Sequence, residues 1–149
     1  MAGVAPWSRV AAARNALGLT TEIIGVVDAN SPSYSLSFRA QKLAEAQSRS
    51  AIAGGLACRT SNLQALEIIW ENVERVVEVT DAEISEAMRA RWQDTHNLVA
   101  EGAGAAALAR SRQEKESLQS KRSGILLSAA MLTRISMRTS RPEGYRLEE

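Results

Sequence analysis

The sequence is short of the residues that build most catalytic and metal centres: its 149 residues include one histidine, one cysteine and three prolines. With Cys58 alone, an internal disulfide is excluded, and a single thiol suits a reducing compartment. His96 and Cys58 stand far apart, too few and too scattered for a zinc centre of the usual kind, so no metal site is expected. No Gly-x-Ser-x-Gly elbow presents a serine to His96. Beside Asp94, this histidine reads as a capping or packing group at a helix end. An excess of either charge is also lacking. Lys+Arg 18 against Asp+Glu 17, interspersed until a mildly basic tail, gives nucleic acid no electrostatic support as a partner. No apolar run reaches the roughly 18 residues of a membrane span, and no charged segment leads into an apolar signal core. A cytoplasmic protein without a membrane partner is expected. Gly25 and Gly54-Gly55 do not compose a Gly-x-Gly-x-x-Gly fingerprint, so a dinucleotide site is not indicated.

What is present is enough for one hydrophobic core: 45% of the residues are hydrophobic and no segment is of low complexity. Helix and strand signals alternate. Val4 to Leu17 is Ala-rich, with Pro6 in its first turn and Gly18 as a stop, and predicts a helix. Glu22 to Val27 is a short β-branched run and predicts a buried strand. Ser31-Pro32 is expected to cap a helix carrying Tyr34, Leu36 and Phe38 on into the polar stretch Gln41 to Ser50. That stretch ends at the Gly54-Gly55 turn. Leu63, Leu66, Ile69, Trp70 and Val73 recur at helical spacing after Ser61-Asn62, and Val76, Val77 and Val79 follow as a strand. Thr80-Asp81-Ala82-Glu83 is a capping box opening a helix with Ile84, Met88 and Trp92. Ala103 to about Ser120 predicts a further helix, and Gly124 to Leu127 a last buried strand. Strands separated by helices of this length imply parallel pairing, an α/β sandwich of three layers with a mainly parallel sheet and helices on both faces.

The run Glu101-Gly102-Ala103-Gly104-Ala105-Ala106-Ala107-Leu108-Ala109 draws the eye, because glycine and alanine remove the steric barrier to close approach and leave amides open. A tightly packed Ala-rich helix would explain it equally well by composition. Together with Ile24-Gly25-Val26, Gly54-Gly55-Leu56-Ala57-Cys58-Arg59-Thr60 and Gly124-Ile125-Leu126-Leu127-Ser128, the run resembles the C-terminal half of the pyridoxal-phosphate-dependent threonine/serine dehydratases, ammonia-lyases of fold type II. The resemblance spans about Ala11 to Ser128. It implies an incomplete dehydratase-like domain over residues 1–128 and a divergent, poorly ordered basic tail over residues 129–149. It also implies deamination of L-threonine or L-serine, a small amino-acid substrate, to a 2-oxo acid and ammonia.

Three residues carry over to the family's cofactor site. Ser128 matches the serine that ends a late strand and hydrogen-bonds the pyridine nitrogen, where a neutral hydroxyl suits β-elimination. Glu101 matches the acidic residue near the cofactor ring, and Gly55 the glycine whose backbone passes beside it. A strand-end serine, a carboxylate at a helix start and a plain turn glycine are the non-functional alternatives. Other parts do not carry over. The family's lysine holds the cofactor as a Schiff base, yet Lys42, Lys115 and Lys121 all sit among polar neighbours, where the amine stays a hydrated ammonium. No catalytic residue is therefore assigned. The chain starts about where the glycine-rich phosphate loop gives way to its helix, Ala129-Ala130-Met131 replaces Gly-Gly-Asn, and Gly54 replaces an aspartate. Where relatives carry a carboxylate after the first strand for a divalent cation this chain has Val27, and Ser31 and Ser33 stand at the other ligand positions. The expectation is a truncated dehydratase half that does not retain pyridoxal phosphate and is inactive alone. The alternative is a non-catalytic interaction module, or partner subunit of a split enzyme, associating through the face left exposed.

Overall fold

The computed structural model describes residues 6–95 and 101–126. They form two units: one takes the chain to Ser50 and again from Leu56 to Val79, the other takes Ala51–Gly55 and the chain from Thr80 onward.

The first unit is built on a parallel strand pair. Helix α1 (Pro6–Ala16) begins with the proline whose missing amide costs nothing in a first turn. The chain reverses at Gly18, whose φ of +62° only glycine adopts freely. Strand β1 (Ile24–Asp28) pairs with β2 (Arg75–Val79) in the register Ile24 to Arg75, Gly25 to Val76 and Asp28 to Val79. Between them lie α2 (Ser33–Ala40) and α3 (Leu63–Asn72). Parallel strands need such a crossover, because no tight turn can bring the second strand back in the same direction. Ala11, Ile23, Ala65, Ile69 and Val73 are buried together, with Trp7, Tyr34, Phe38 and Val76 packed against them. The rings of Trp7 and Tyr34 meet edge to face with centroids 6.0 Å apart. Helix α3 is capped by Asn62, whose Oδ1 accepts the Ala65 amide at 3.0 Å. At its other end Asn72 receives Arg14 Nη2 at 3.0 Å and Asn15 Nδ2 at 2.8 Å, tying the last turn of α1 to that of α3.

Helix α2 departs from expectation. Ser31 does not cap it: the N-cap is Pro32, no side-chain cap bond forms, and Ser31 Oγ instead shares a hydrogen bond of 2.7 Å with Ser48 Oγ. Tyr34 and Phe38 face the core, but Leu36 is exposed while Ser33, Ser35 and Ser37 are buried. Each of these serines has a partner. Ser33 Oγ donates to the Cys58 carbonyl at 2.8 Å, Ser35 Oγ to Glu78 Oε1 at 2.6 Å, and Ser37 Oγ pairs with Ser61 Oγ at 3.2 Å. A buried hydroxyl is tolerated when it is bonded, so polarity alone misreads this face. The helix stops at Ala40, with Gln41 in the left-handed region at φ 51°, and does not run on toward Ser50.

The second unit pairs α4 (Asp81–Thr95) with α5 (Gly102–Gln113). The capping box forms as expected: the Thr80 amide donates to Glu83 Oε2 at 2.7 Å and the Glu83 amide to Thr80 Oγ1 at 3.3 Å. The Thr80 backbone bond, more than any other cause, holds the Glu83 carboxyl below its ordinary range. Ile84, Ala87 and Met88 on α4 and Ala105, Ala106 and Ala109 on α5 are buried, and the alanine face lets the two helices approach closely. Helix α5 ends seven residues short of the expected Ser120. Glu114-Lys115-Glu116-Ser117 offers no apolar face to bury, and the chain continues in turns. Gly124, Ile125 and Leu126, expected in a buried strand, are exposed and outside any ladder. A strand needs a neighbour for its amides and carbonyls, and among the described residues the only strand ladder is that of β1 and β2. Leu127, Ser128, His96 and the tail 129–149 lie outside the described residues.

Candidate functional site

The first turn of α5 and the turn Gly54–Leu56 build the candidate site, and both Glu101 and Gly55 belong to the second unit. Glu101 is the N-cap of α5, at φ −58° and ψ 157°. The backbone bond from the Ala105 amide to the Glu101 carbonyl, 3.0 Å, opens the helix and leaves the amides before it without helical partners. A short N-cap side chain such as aspartate folds back onto those amides. Glu101 does not: its side chain makes no capping bond, nor any hydrogen bond or ion pair among the described residues.

Two close approaches fix the carboxylate's surroundings. A Cβ placed on Gly55 would stand 2.9 Å from the Ala103 Cβ and 3.4 Å from Glu101 Oε1, so the glycine turn and the carboxylate share one small space. A Cβ placed on the buried Gly102 would overlap the Ile52 carbonyl oxygen and stand 2.8 Å from its carbon. The small residues of the run are thus explained in part by backbone lying against backbone. Of the three expected site residues, Glu101 and Gly55 are brought together, and Ser128 lies outside the described residues. The side chain of Asp94 is not described either. Lys42, Lys115 and Lys121 are all exposed.

Two buried charged groups were not anticipated. Asp28, at the end of β1 and fully buried, accepts the Asn30 amide on Oδ1 at 2.8 Å, while Oδ2 has no hydrogen-bond partner. It stands one residue after Val27, while Ser31 and Ser33 are already committed to Ser48 and Cys58. Among the described residues, no group of three or more His, Cys, Asp or Glu side chains gathers for a metal ion. Arg110 is 4% exposed on α5, ion-paired with Glu114 through Nη2, with Nε and Nη1 unpartnered. An arginine at the edge of an alanine-rich run carries no sequence signal of burial, since long basic side chains ordinarily reach water. The β1 carboxylate was legible only as the polar end of an apolar run. Among the described residues no helix is long and apolar enough to cross a membrane.

Comparison with known proteins identifies the family and the fold. The family described as "Pyridoxal-phosphate dependent enzyme" matches residues 5–129. No curated protein matches the chain. Among solved structures, the processed form of threonine deaminase isoform 2 from Solanum lycopersicum is 22% identical with a TM-score of 0.80, over 89% of this chain and 39% of its own. Maize serine racemase is 23% identical with a TM-score of 0.75, over 89% and 43%. A fungal L-serine ammonia-lyase from Rhizomucor miehei is 19% identical with a TM-score of 0.72, over 85% and 42%. The likeness is one of fold: a mixed α/β arrangement with a parallel sheet and helices, matching part of these fold-type II enzymes. The chain spans about two fifths of the length of each, 39% to 43%.

Proposed function

The chain belongs to the pyridoxal-phosphate-dependent enzyme family, and from that premise we propose that it supplies one wall of the cofactor site of an ammonia-lyase acting on threonine or serine. The observation that carries this is the pairing of Glu101 with Gly55: a carboxylate with no partner among the described residues, beside a glycine turn whose missing Cβ keeps the space between them open. These residues fit the ring side of the group. When bound, the cofactor supplies the electron sink that lets a hydroxyl leave the carbon next to the amino-bearing one. Glu101 would accept a hydrogen bond at the ring's edge, Gly55 would let the backbone lie flat beside it, and Ser128 would donate its hydroxyl to the ring nitrogen. The product of such an elimination is a 2-oxo acid and ammonia.

The covalent anchor is a different matter. Lys42, Lys115 and Lys121 are exposed, and none has the desolvated surroundings that a Schiff-base lysine needs. Catalysis then draws on a desolvated lysine and a phosphate-binding loop outside these 149 residues, supplied by the same polypeptide or by a second one as in a split enzyme working in the cytoplasm. The decisive experiment mixes the purified chain with a separately made N-terminal half of a dehydratase and measures ammonia release from L-threonine and L-serine. Release in the mixture and in neither part alone is expected. A stable complex that releases no ammonia supports the non-catalytic interaction module instead.

A further inference from the structure

Glu101 is not one of the short side chains that usually cap a helix from this position, and its carboxylate makes no bond to the open amides of its own helix. Some contact other than a cap must decide where it points. The backbone on its C-terminal side lies tightly against another segment: a Cβ on Gly102 would collide with the Ile52 carbonyl group and stand 3.1 Å from the Ala53 Cα, and Ala53 is itself wholly buried. That contact joins the first turn of α5 to the segment leading directly into the Gly54–Leu56 turn, and so sets the height of Glu101 above Gly55.

We propose that Gly102 is a positioning residue: by letting the start of α5 lie against Ile52 it holds the Glu101 carboxylate beside Gly55, without a partner among the described residues and open to a hydrogen-bond donor of the ligand. The identity of that ligand as the pyridoxal ring rests on the function proposed above; the positioning itself does not. Any side chain at position 102 forces the two backbones apart, since backbone atoms cannot swing away as a flexible side-chain end can. The carboxylate, released from its place beside Gly55, then has the free amides of its own first turn as the nearest donors and closes onto them as an ordinary cap. An available acceptor becomes a satisfied one.

The test uses the full chain, isotopically labelled, with nuclear magnetic resonance cross-peaks between the Glu101 side chain and the Gly55 Cα protons as the readout. In Gly102→Ala the cross-peaks are expected to disappear and the Ala103 and Gly104 amide shifts to move as the carboxylate caps, while helix content by circular dichroism is kept. Gly54→Ala, where a Cβ meets nothing within 4 Å, should retain the cross-peaks. If Gly102→Ala does not fold, the wild type carries the test through cross-peaks between the Cα protons of Gly102 and Ala53 beside those of Glu101 with Gly55. Cross-peaks from Glu101 to Gly55 that persist in a folded Gly102→Ala, or wild-type cross-peaks from Gly102 to Ala53 that are absent, overturn the proposal. Free pyridoxal phosphate, titrated by its fluorescence, separates the two ideas. If it binds, Gly102→Ala and Glu101→Gln should weaken it alike, by about two- to tenfold for one hydrogen bond. If it leaves the wild-type Glu101 resonances unmoved, the cofactor reading fails and the positioning result stands on its own.

Discussion

At the scale of single residues, polar bonds in tight places govern what the chain tolerates. Thr80→Ala removes a cap oxygen from α4 and should cost about 1 kcal/mol by urea unfolding at neutral pH. Glu83 adds a pH signature. Its carboxyl titrates below the ordinary range when folded, so its contribution is complete above the ordinary glutamate value of about 4.3 and disappears as pH falls through the lowered one. The stability difference between wild type and Glu83→Ala should therefore shrink on acidification below that range; a difference that grows there refutes the assignment. Arg110 makes an opposite prediction. Its guanidinium is buried with two nitrogens unpartnered, and its pairing with Glu114 must offset a large desolvation penalty. Arg110→Leu should be neutral or stabilising in thermal melts, whereas Glu114→Gln, which strands the buried cation, should destabilise by about 3 kcal/mol. The capping box was legible because its signal is local, with donor and acceptor three residues apart. The burial of Asp28 and Arg110 was not, since it depends on what packs over them from distant parts of the sequence.

At the scale of elements, short-range patterns read well where they coincide with tertiary packing. Helix α1 starts and stops near its proline and glycine signals, whereas α2 stops at Ala40 with no glycine there, and α3 and the residue after it bury Leu66, Ile69 and Val73 of the expected apolar stripe while Leu63 stays exposed. Helix α2 failed at the level of faces, because its serines are buried through partners on β2 and on the segment 44–61, none of them visible from a local window. The expected strand is not formed at Gly124 to Leu126, its described part, because a β-branched or apolar run needs a neighbouring strand to become one. Site legibility followed the same division. Glu101 and Gly55 stand out through their neighbours in recognisable runs and lie side by side in the fold, but the close approach at Gly102 depends on the Ile52 carbonyl, fifty residues earlier. The strand pair offers a direct test of packing. A Cβ on Gly25 would lie 2.8 Å from Cζ3 of Trp7, so Gly25→Ala should destabilise the first unit by about 1 to 3 kcal/mol. Trp7→Leu combined with it should recover part of that loss in a double-mutant cycle, and strict additivity would show that the two groups do not meet.

At the scale of the whole molecule, exposed lysines predict diffuse chemistry with the cofactor. Borohydride reduction after incubation with pyridoxal phosphate should label Lys42, Lys115 and Lys121 without preference, as mapped by peptide mass; stoichiometric labelling of one lysine would mean that the chain rebuilds an anchor of its own. The two-unit organisation has a temporal corollary. The chain leaves the first unit at Ala51, returns at Leu56 and departs again after Val79. During synthesis, which runs at about 5 to 20 residues per second, the first unit's strands and helices are all made by Val79, yet Ile52 and Ala53 must wait for Gly102 to emerge. For those seconds the nascent chain carries an apolar loop with no counterpart. A cut anywhere between Leu56 and Val79 would leave neither unit whole, so these units cannot be inherited, swapped or expressed as separable parts.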